Sequence, residues 1–196
     1  MLIHADYRER LKQHFPPLLE RIASARPEII IFPDNSARPF AWLANKLWRA
    51  EWGSKPRFLF RSPPSLTAHY LEWQEFVKQL KADRRFAGKR VCVFDDTTAG
   101  GTTLDAFFWG LSGHAKEFIP AAFADPARST AFSAVDELIN SPFKFALSAL
   151  DRTTPVASYR ASKRSLAAAD WKEIHAEINE LAAEILRERR AREGSR

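Results

Sequence analysis

Residues 91–108, VCVFDDTTAGGTTLDAFF, join an apolar run to two adjacent acids and then to seven residues that are all Thr, Ala or Gly. The run VCVF is typical of a strand that is buried on both faces. Asp95 and Asp96 repel each other when both are ionised, and a segment rich in Gly and Thr forms a poor helix interior. We therefore interpret these residues as a site that holds something from outside the fold.

The same stretch predicts a strand, a loop and a helix that begins near Thr102 or Thr103. In open α/β sheets, ligands bind where strands end and the following helices begin. Gly100 and Gly101 leave the backbone N–H groups accessible to an anion, and the helix dipole favours negative charge there. The two carboxylates would face neighbouring hydroxyl groups or a metal. A phosphate joined to a polyhydroxylated sugar fits both features, because the glycine-rich part would bind the phosphate and the carboxylates would bind the sugar hydroxyls.

Around this stretch, short apolar runs alternate with amphipathic segments about once per strand-helix-strand unit. The sequence therefore predicts an α/β fold with a mainly parallel central sheet, flanking helices, and helical arms at both ends. We expect one domain over 1–196, divided into an N-terminal arm at 1–26, a core at 27–150 and a C-terminal extension and helix at 151–196. The candidate strands are 28–32, 57–60, 90–94, 118–123 and 143–150.

Helical spacing is present between the candidate strands. One helix covers 40–48, with Gly53 and Pro56 as stop signals, and the next begins at Ser62 and Pro63 and reaches Leu80. The remaining apolar faces are 104–111, ending at Gly113, and a helix containing Phe132, Val135, Leu138 and Ile139.

The two arms each carry an apolar stripe. The first stripe predicts a helix that is broken or restarted at Pro16 and Pro17, and the second predicts one continuous helix. Both stripes are expected to cover the domain, with a homodimer contact as the alternative. They consist of Tyr7, Leu11, Phe15, Leu18 and Ile22 in front, and Trp171, Ile174, Ile178, Leu181 and Ile185 behind.

Composition narrows the class of protein. Hydrophobic residues make up 45% of the chain and charged ones 28%, as expected of a globular domain. No apolar stretch is long enough to span a membrane, and the start MLIHADYRER lacks a secretory pattern, so we predict a cytoplasmic protein. The lone Cys92 is interpreted as a buried hydrophobe. Of the net charge of +6, the last ten residues supply five Arg and two Glu, which leaves RNA binding as an alternative.

The motif VCVFDDTTAGGTT resembles the phosphoribosyl-pyrophosphate (PRPP) motif of type I phosphoribosyltransferases. This resemblance implies that Asp95 and Asp96 contact the ribose hydroxyls. It also implies a 5′-phosphate site in the following loop, where Ala99 and Gly100 replace the Thr pair that is often present, so that backbone donors carry more of the binding. That loop consists of Ala99, Gly100, Gly101, Thr102 and Thr103.

A second loop falls where the family has its pyrophosphate-binding loop, within IIIFPDNSARPFAWLANKL. Asn35, Ser36 and Ala37 offer small residues for close backbone approach, and the guanidinium of Arg38 suits bidentate phosphate contact. The family also has a mobile loop before the motif strand that supplies a cation. Arg84 and Arg85 are candidates for this cation, although a solvated basic edge is the favoured interpretation of the cluster that contains them.

The resemblance implies an enzyme that transfers the 5-phosphoribosyl group to a nitrogenous base and releases pyrophosphate. Arg38, Asp95 and Asp96 would carry the catalysis, and Mg²⁺ would be bound through PRPP with Asp95 as a candidate ligand. The acceptor base is not identified, and its hood would come from the N-terminal arm or residues 150–159. Two alternatives stay open: a non-catalytic sensor of PRPP or a nucleotide, and an RNA-binding regulator on the same fold.

Overall fold

A five-stranded sheet, in which every pair of neighbouring strands is parallel, forms the centre of the computed structural model. The spatial order of the strands is β2-β1-β3-β4-β5. The α/β fold with a parallel central sheet is thus confirmed. The strands are β1 (Ile29–Pro33), β2 (Arg57–Arg61), β3 (Arg90–Thr97), β4 (Glu117–Ala124) and β5 (Phe132–Val135). The structure describes residues 5–33, 37–64, 69–97, 102–124, 130, 132–135 and 168–194.

The described helices flank the sheet on both faces. Gly53 follows α2 and Gly113 follows α4, and both have positive φ, at 70° and 85°, so these two predicted stop signals are confirmed. The helices are α1 (Ala5–Ser24), α2 (Arg38–Glu51), α3 (Tyr70–Ala82), α4 (Thr102–Leu111) and α5 (Ala168–Glu193), with a 3-10 turn at Arg84–Phe86.

Successive side chains along a strand pack alternately into two separate hydrophobic cores, one on each face of the sheet. The first core lies between the sheet and α1, α2 and α5, and we call this side the α1 face. The second lies between the sheet and α3 and α4, and we call this side the α4 face. In β3, Cys92 and Phe94 belong to the α1 face, whereas Val91 and Val93 belong to the α4 face. Both faces of the central strands are therefore covered, as their continuous apolar runs predict.

The N-terminal arm differs from the prediction, because α1 runs without interruption through Pro16 and Pro17. Each proline removes one backbone donor from the helix and normally kinks or breaks it. Here Leu11, Phe15 and Leu18 are fully buried on either side of the prolines. Burial of this stripe offsets the lost hydrogen bonds, so tertiary packing overrides the local signal.

Helix α3 begins at Tyr70 and not at the predicted Ser62. Pro63 and Pro64 favour extended backbone in the residues that precede them. The start is defined instead by a capping box, in which His69 Nδ1 accepts from the Leu71 N–H and the Glu72 side chain accepts from the His69 N–H, both at 3.4 Å.

Residues 132–135 form a strand and not the predicted helix. The strand pairs with β4, with Ala121 opposite Phe132 and Ala124 opposite Val135. Four residues of the form FSAV fit a strand as well as a helix, and pairing with β4 supplies the backbone hydrogen bonds that decide between them. The remaining candidate strand, 143–150, lies outside the described residues, as do positions 138 and 139.

Helix α5 covers the α1 face, where Ile178, Leu181 and Ile185 are buried in the same core as α1. This confirms the covering role of the described part of both stripes; the side chains of Tyr7, Trp171 and Ile174 lie outside it. The arms are also joined by ion pairs. These pairs are Arg8 to Glu184 at 2.7 Å, Lys12 to Glu188 at 2.6 Å, and Arg189 to Glu20 and to Glu51 at 3.8 Å each.

The arginine-rich end of the chain is helical up to Glu193. Arg189, one of its arginines, is engaged with α1 and α2 through the pairs given above. Among the described helices, none combines the length and the apolar composition that crossing a membrane requires.

Candidate functional site

The order of the strands reverses at the junction between β1 and β3. The chain passes from β1 to β2 on one side and then returns to β3 on the other. The register places Ile29 opposite Val91 and Ile31 opposite Val93, so Pro33, the last residue of β1, is level with Asp95, two residues before β3 ends. In doubly wound sheets this junction opens a crevice for ligands. The two loops that the sequence singled out therefore follow neighbouring strands.

Asp95 and Asp96 are the last residues of β3 whose side chains are described, and both are buried, at 8% and 9% exposure. Because side chains alternate along a strand, Asp96 shares the α1 face with Phe94, and Asp95 shares the α4 face with Val93. The Asp96 N–H donates to Asp95 Oδ1 at 2.9 Å. The two carboxylates thus diverge, which reduces the repulsion that their adjacency in sequence suggests.

The start of α2 stands at the end of β1. Ala37 is fully buried and precedes the helix without a side-chain cap, and the first turn contains no acid. Arg38 is the first helical residue, and its Cζ lies over the Phe60 ring, 5.2 Å from the ring centroid. Within the described residues, the buried Arg38 Nε has no hydrogen-bond partner. The positive end of the helix dipole and a guanidinium therefore meet at this edge of the sheet.

Helix α4 begins at Thr102, as predicted, and so places Thr102 and Thr103 at the end of the loop that follows the two acids. Thr102 is exposed and Thr103 partly exposed. The other residues assigned to the two loops, Asn35, Ser36, Ala99, Gly100 and Gly101, lie outside the described residues, and their roles stay predictions.

Arg84 and Arg85 are on the amino-terminal side of β3, in the 3-10 turn. Arg85 donates to Asp83, and Asp83 also accepts from Arg61 Nη2 at 2.7 Å. The hydrogen bond from Arg85, aided by that from Arg61, holds the pKa of Asp83 well below its ordinary value. Asp83 thereby connects Arg85 to Arg61, the last residue of β2, and the role of Arg84 and Arg85 as mobile-loop cations stays a prediction.

Sequence reasoning missed the end of β2, the neighbour of β1. Phe60 and Arg61 are its last two residues, and Arg61 is opposite Pro33 in the register. Phe60 is 43% exposed, which is high for an aromatic residue within a strand. The signal in the sequence was RFLFR, in which an aromatic and a basic residue close an apolar run just before Ser62 and two prolines.

Within the described ranges, no group of three or more His, Cys, Asp and Glu side chains could hold a metal ion by itself. Mg²⁺ commonly needs only one or two carboxylates when substrate phosphates supply further oxygens. The Asp95 carboxylate at the end of β3 is compatible with that arrangement.

The strand order defines a doubly wound α/β fold whose order reverses between β1 and β3, the position at which sheets of this kind bind ligands. Solved phosphoribosyltransferases have a similar fold. A hypoxanthine phosphoribosyltransferase from Trypanosoma cruzi, a point mutant in a ternary substrates complex, aligns with a TM-score of 0.50 and 11% identity over 69% of this chain and 79% of that chain. Two HPRTs in which an invariant aspartic acid is replaced, by asparagine in one and glutamic acid in the other, align with TM-scores of 0.51 and 0.50. Both are 10% identical to this chain. The alignments cover 69% of this chain, and 77% and 79% of the two HPRT chains.

These likenesses establish the fold as phosphoribosyltransferase-like. No protein-family model matches the chain, and no curated protein sequence matches it.

Proposed function

We propose that this protein binds PRPP in the crevice between β1 and β3 and transfers its 5-phosphoribosyl group to a nitrogenous base, releasing pyrophosphate. The observation that carries the proposal is that β1 and β3 are neighbours at the point where the strand order reverses. The acid pair lies in the last three residues of β3, and Arg38 begins the helix after β1. A phosphosugar with a pyrophosphate at C1′ needs two kinds of binding group: acceptors for its hydroxyl groups and donors or cations for its phosphates.

In this proposal the carboxylates of Asp95 and Asp96 accept hydrogen bonds from the ribose hydroxyls. The loop from Ala99 to Thr103 and the start of α4 bind the 5′-phosphate through backbone N–H groups and threonine hydroxyls. Asn35, Ser36, Ala37 and Arg38 receive the pyrophosphate at the uncapped start of α2. Mg²⁺ bound through PRPP, with Asp95 as a protein ligand, would supply neutralisation of pyrophosphate charge.

The chemical step breaks the bond between C1′ and the pyrophosphate oxygen and joins C1′ to a nitrogen of the base, which loses a proton. The part assigned to Arg38 is to stabilise negative charge on departing pyrophosphate, since electrostatic stabilisation is often the largest single contribution to catalysis. The part assigned to Asp95 and Asp96 is to position the sugar so that its C1′ is aligned with the attacking nitrogen of the base.

The proposed role of Arg38 predicts a difference between two ligands. Arg38→Ala should weaken PRPP binding by about 1.5 to 3 kcal/mol, the range of a charge-assisted hydrogen bond. A nucleoside monophosphate lacks pyrophosphate, so its affinity should hardly change. Calorimetric titration with both ligands checks this. Equal weakening of both would show that the loop after β1 is not a pyrophosphate site.

A sensor without catalytic activity is the second candidate. It is favoured by the pairing of Arg85 with Asp83, because a guanidinium that is already bound to a carboxylate is less available to pyrophosphate as a mobile-loop cation. Binding of PRPP alone does not separate the two candidates, since both need the same ribose and phosphate contacts.

Turnover separates them. The protein would be incubated with PRPP, Mg²⁺ and each of the common purine and pyrimidine bases, and pyrophosphate release would be measured. We expect release with one base or a few related bases, and its loss in the Arg38→Ala variant. PRPP binding without release for any base would assign the sensor role instead.

A further inference from the structure

The side chain of Phe60 lies beneath the guanidinium of Arg38 at the candidate pyrophosphate site. Arg38 Cζ is 5.2 Å from the centroid of the Phe60 ring, within the range of a cation–π contact. The ring is itself supported from one side, because its centroid is 6.1 Å from that of Phe32 on the neighbouring strand β1. The contact therefore joins the start of α2 to the end of β2.

The contrast with the other arginines near β2 shows why an aromatic partner matters. Arg61 and Arg85 both donate to the carboxylate of Asp83, which offsets part of their charge and occupies some of their N–H groups. A ring beneath a guanidinium contacts its flat face instead, and leaves the in-plane N–H donors and the positive charge for another partner. Phe60 thus holds Arg38 without competing with an anion for it.

The Nε atom of Arg38 supports the same view. It is buried, yet within the described residues it has no hydrogen-bond partner. Since no described acceptor binds this N–H, the Phe60 ring and not a hydrogen bond at Nε fixes the guanidinium.

We propose that Phe60 is the positioning residue for Arg38: its ring holds the guanidinium at the end of β1, with the N–H donors directed to pyrophosphate. The inference rests on the proposed PRPP site. It adds a residue from a third strand, β2, which the two sequence motifs do not include.

The chain offers a matched control at the other end of the same strand. Phe58 lies on the same side of β2 as Phe60, contacts the same Phe32 ring at 5.1 Å, and has its own cation, since Lys55 Nζ is 4.8 Å from its centroid. Phe58→Leu removes a comparable ring and a comparable cation–π contact whose cation is Lys55 and not Arg38. It therefore reports any general loosening of β2.

The experiment compares the wild-type chain with Phe60→Leu, Phe60→Tyr and Phe58→Leu, after thermal unfolding has shown that each is folded. The first measurement needs no ligand. The Nε–H resonance of Arg38, assigned by its disappearance in Arg38→Ala, is followed by NMR. In the wild type it should show a ring-current shift and slow exchange with water. Both should be lost in Phe60→Leu and retained in Phe60→Tyr and Phe58→Leu.

The second measurement is affinity for PRPP and for a nucleoside monophosphate. Phe60→Leu should bind PRPP about 3- to 10-fold more weakly, on the scale of one cation–π contact, with monophosphate affinity unchanged. Phe60→Tyr should restore PRPP affinity, and Phe58→Leu should leave it intact. Equal loss in Phe60→Leu and Phe58→Leu, or an unchanged affinity in Phe60→Leu, would overturn the inference.

The two measurements separate failure of this inference from failure of the proposed function. If the wild-type protein binds no PRPP, the proposed function fails, and the NMR comparison alone then decides whether Phe60 positions Arg38. If the Arg38 resonance is the same in Phe60→Leu and wild type, Phe60 does not position Arg38, whatever the protein binds.

Discussion

Replacement of both Asp95 and Asp96 by asparagine is expected to abolish measurable PRPP binding while the protein stays folded. Hydrogen bonds to a charged group contribute about 1.5 to 3 kcal/mol each, so the loss of two amounts to about 3 to 6 kcal/mol, at least 100-fold in affinity. The side chains are isosteric, and an asparagine Oδ1 at position 95 can still accept a hydrogen bond from the backbone N–H of residue 96, so the double variant should stay folded.

Calorimetric titration with PRPP, together with thermal unfolding, checks this prediction. Asp105→Asn is the matched control, because Asp105 lies in the first turn of α4, close in sequence to the same loop, but is exposed. It removes one negative charge near the site without removing a proposed sugar contact, so its PRPP affinity should stay close to wild type. Retained affinity in the Asp95→Asn, Asp96→Asn double variant would contradict the ribose assignment. A large drop in stability would instead indicate that the acids serve the fold.

Phe15→Ala is expected to destabilise the protein by about 3 to 5 kcal/mol, the usual cost of removing a buried aromatic ring. Phe15 is fully buried in the middle of α1, and its ring lies 5.5 Å from that of Phe40 in α2 and 5.9 Å from that of Phe94 in β3. The free energy of unfolding of such domains is about 5 to 15 kcal/mol in total, so this one substitution in the N-terminal arm should remove a large fraction of the stability.

Urea unfolding at two protein concentrations measures this effect. Phe108→Ala is the control, since Phe108 is 45% exposed on α4 and its loss should cost much less. A loss of less than about 1 kcal/mol in the free energy of unfolding for Phe15→Ala would mean that α1 contributes little to the stability of the domain. A destabilisation that depends on protein concentration would support the alternative in which the stripe also takes part in a homodimer.

Most of the fold could be predicted because its signals are local. The continuous apolar runs at 28–32, 90–94 and 118–123 are within a residue or two of β1, the start of β3 and β4, since a strand buried on both faces needs apolar residues at every position. Gly53 and Gly113 marked helix ends because the backbone position after a helix often has positive φ, a conformation that favours glycine. The failures have equally physical causes. Pro16 and Pro17 indicated a break in α1, but burial of the stripe around them outweighs the lost hydrogen bonds.

The sequence by itself determined which residues stand at the ends of strands: two acids after VCVF, and Arg38 shortly after IIIFP. Periodicity and turn chemistry act over a few residues, so they can be recognised without neighbours. Only the tertiary structure decided that β1 and β3 are adjacent and that Phe60 lies beneath Arg38. These pairings join residues far apart along the chain, and they depend on the order and register in which the strands assemble, which no short segment encodes.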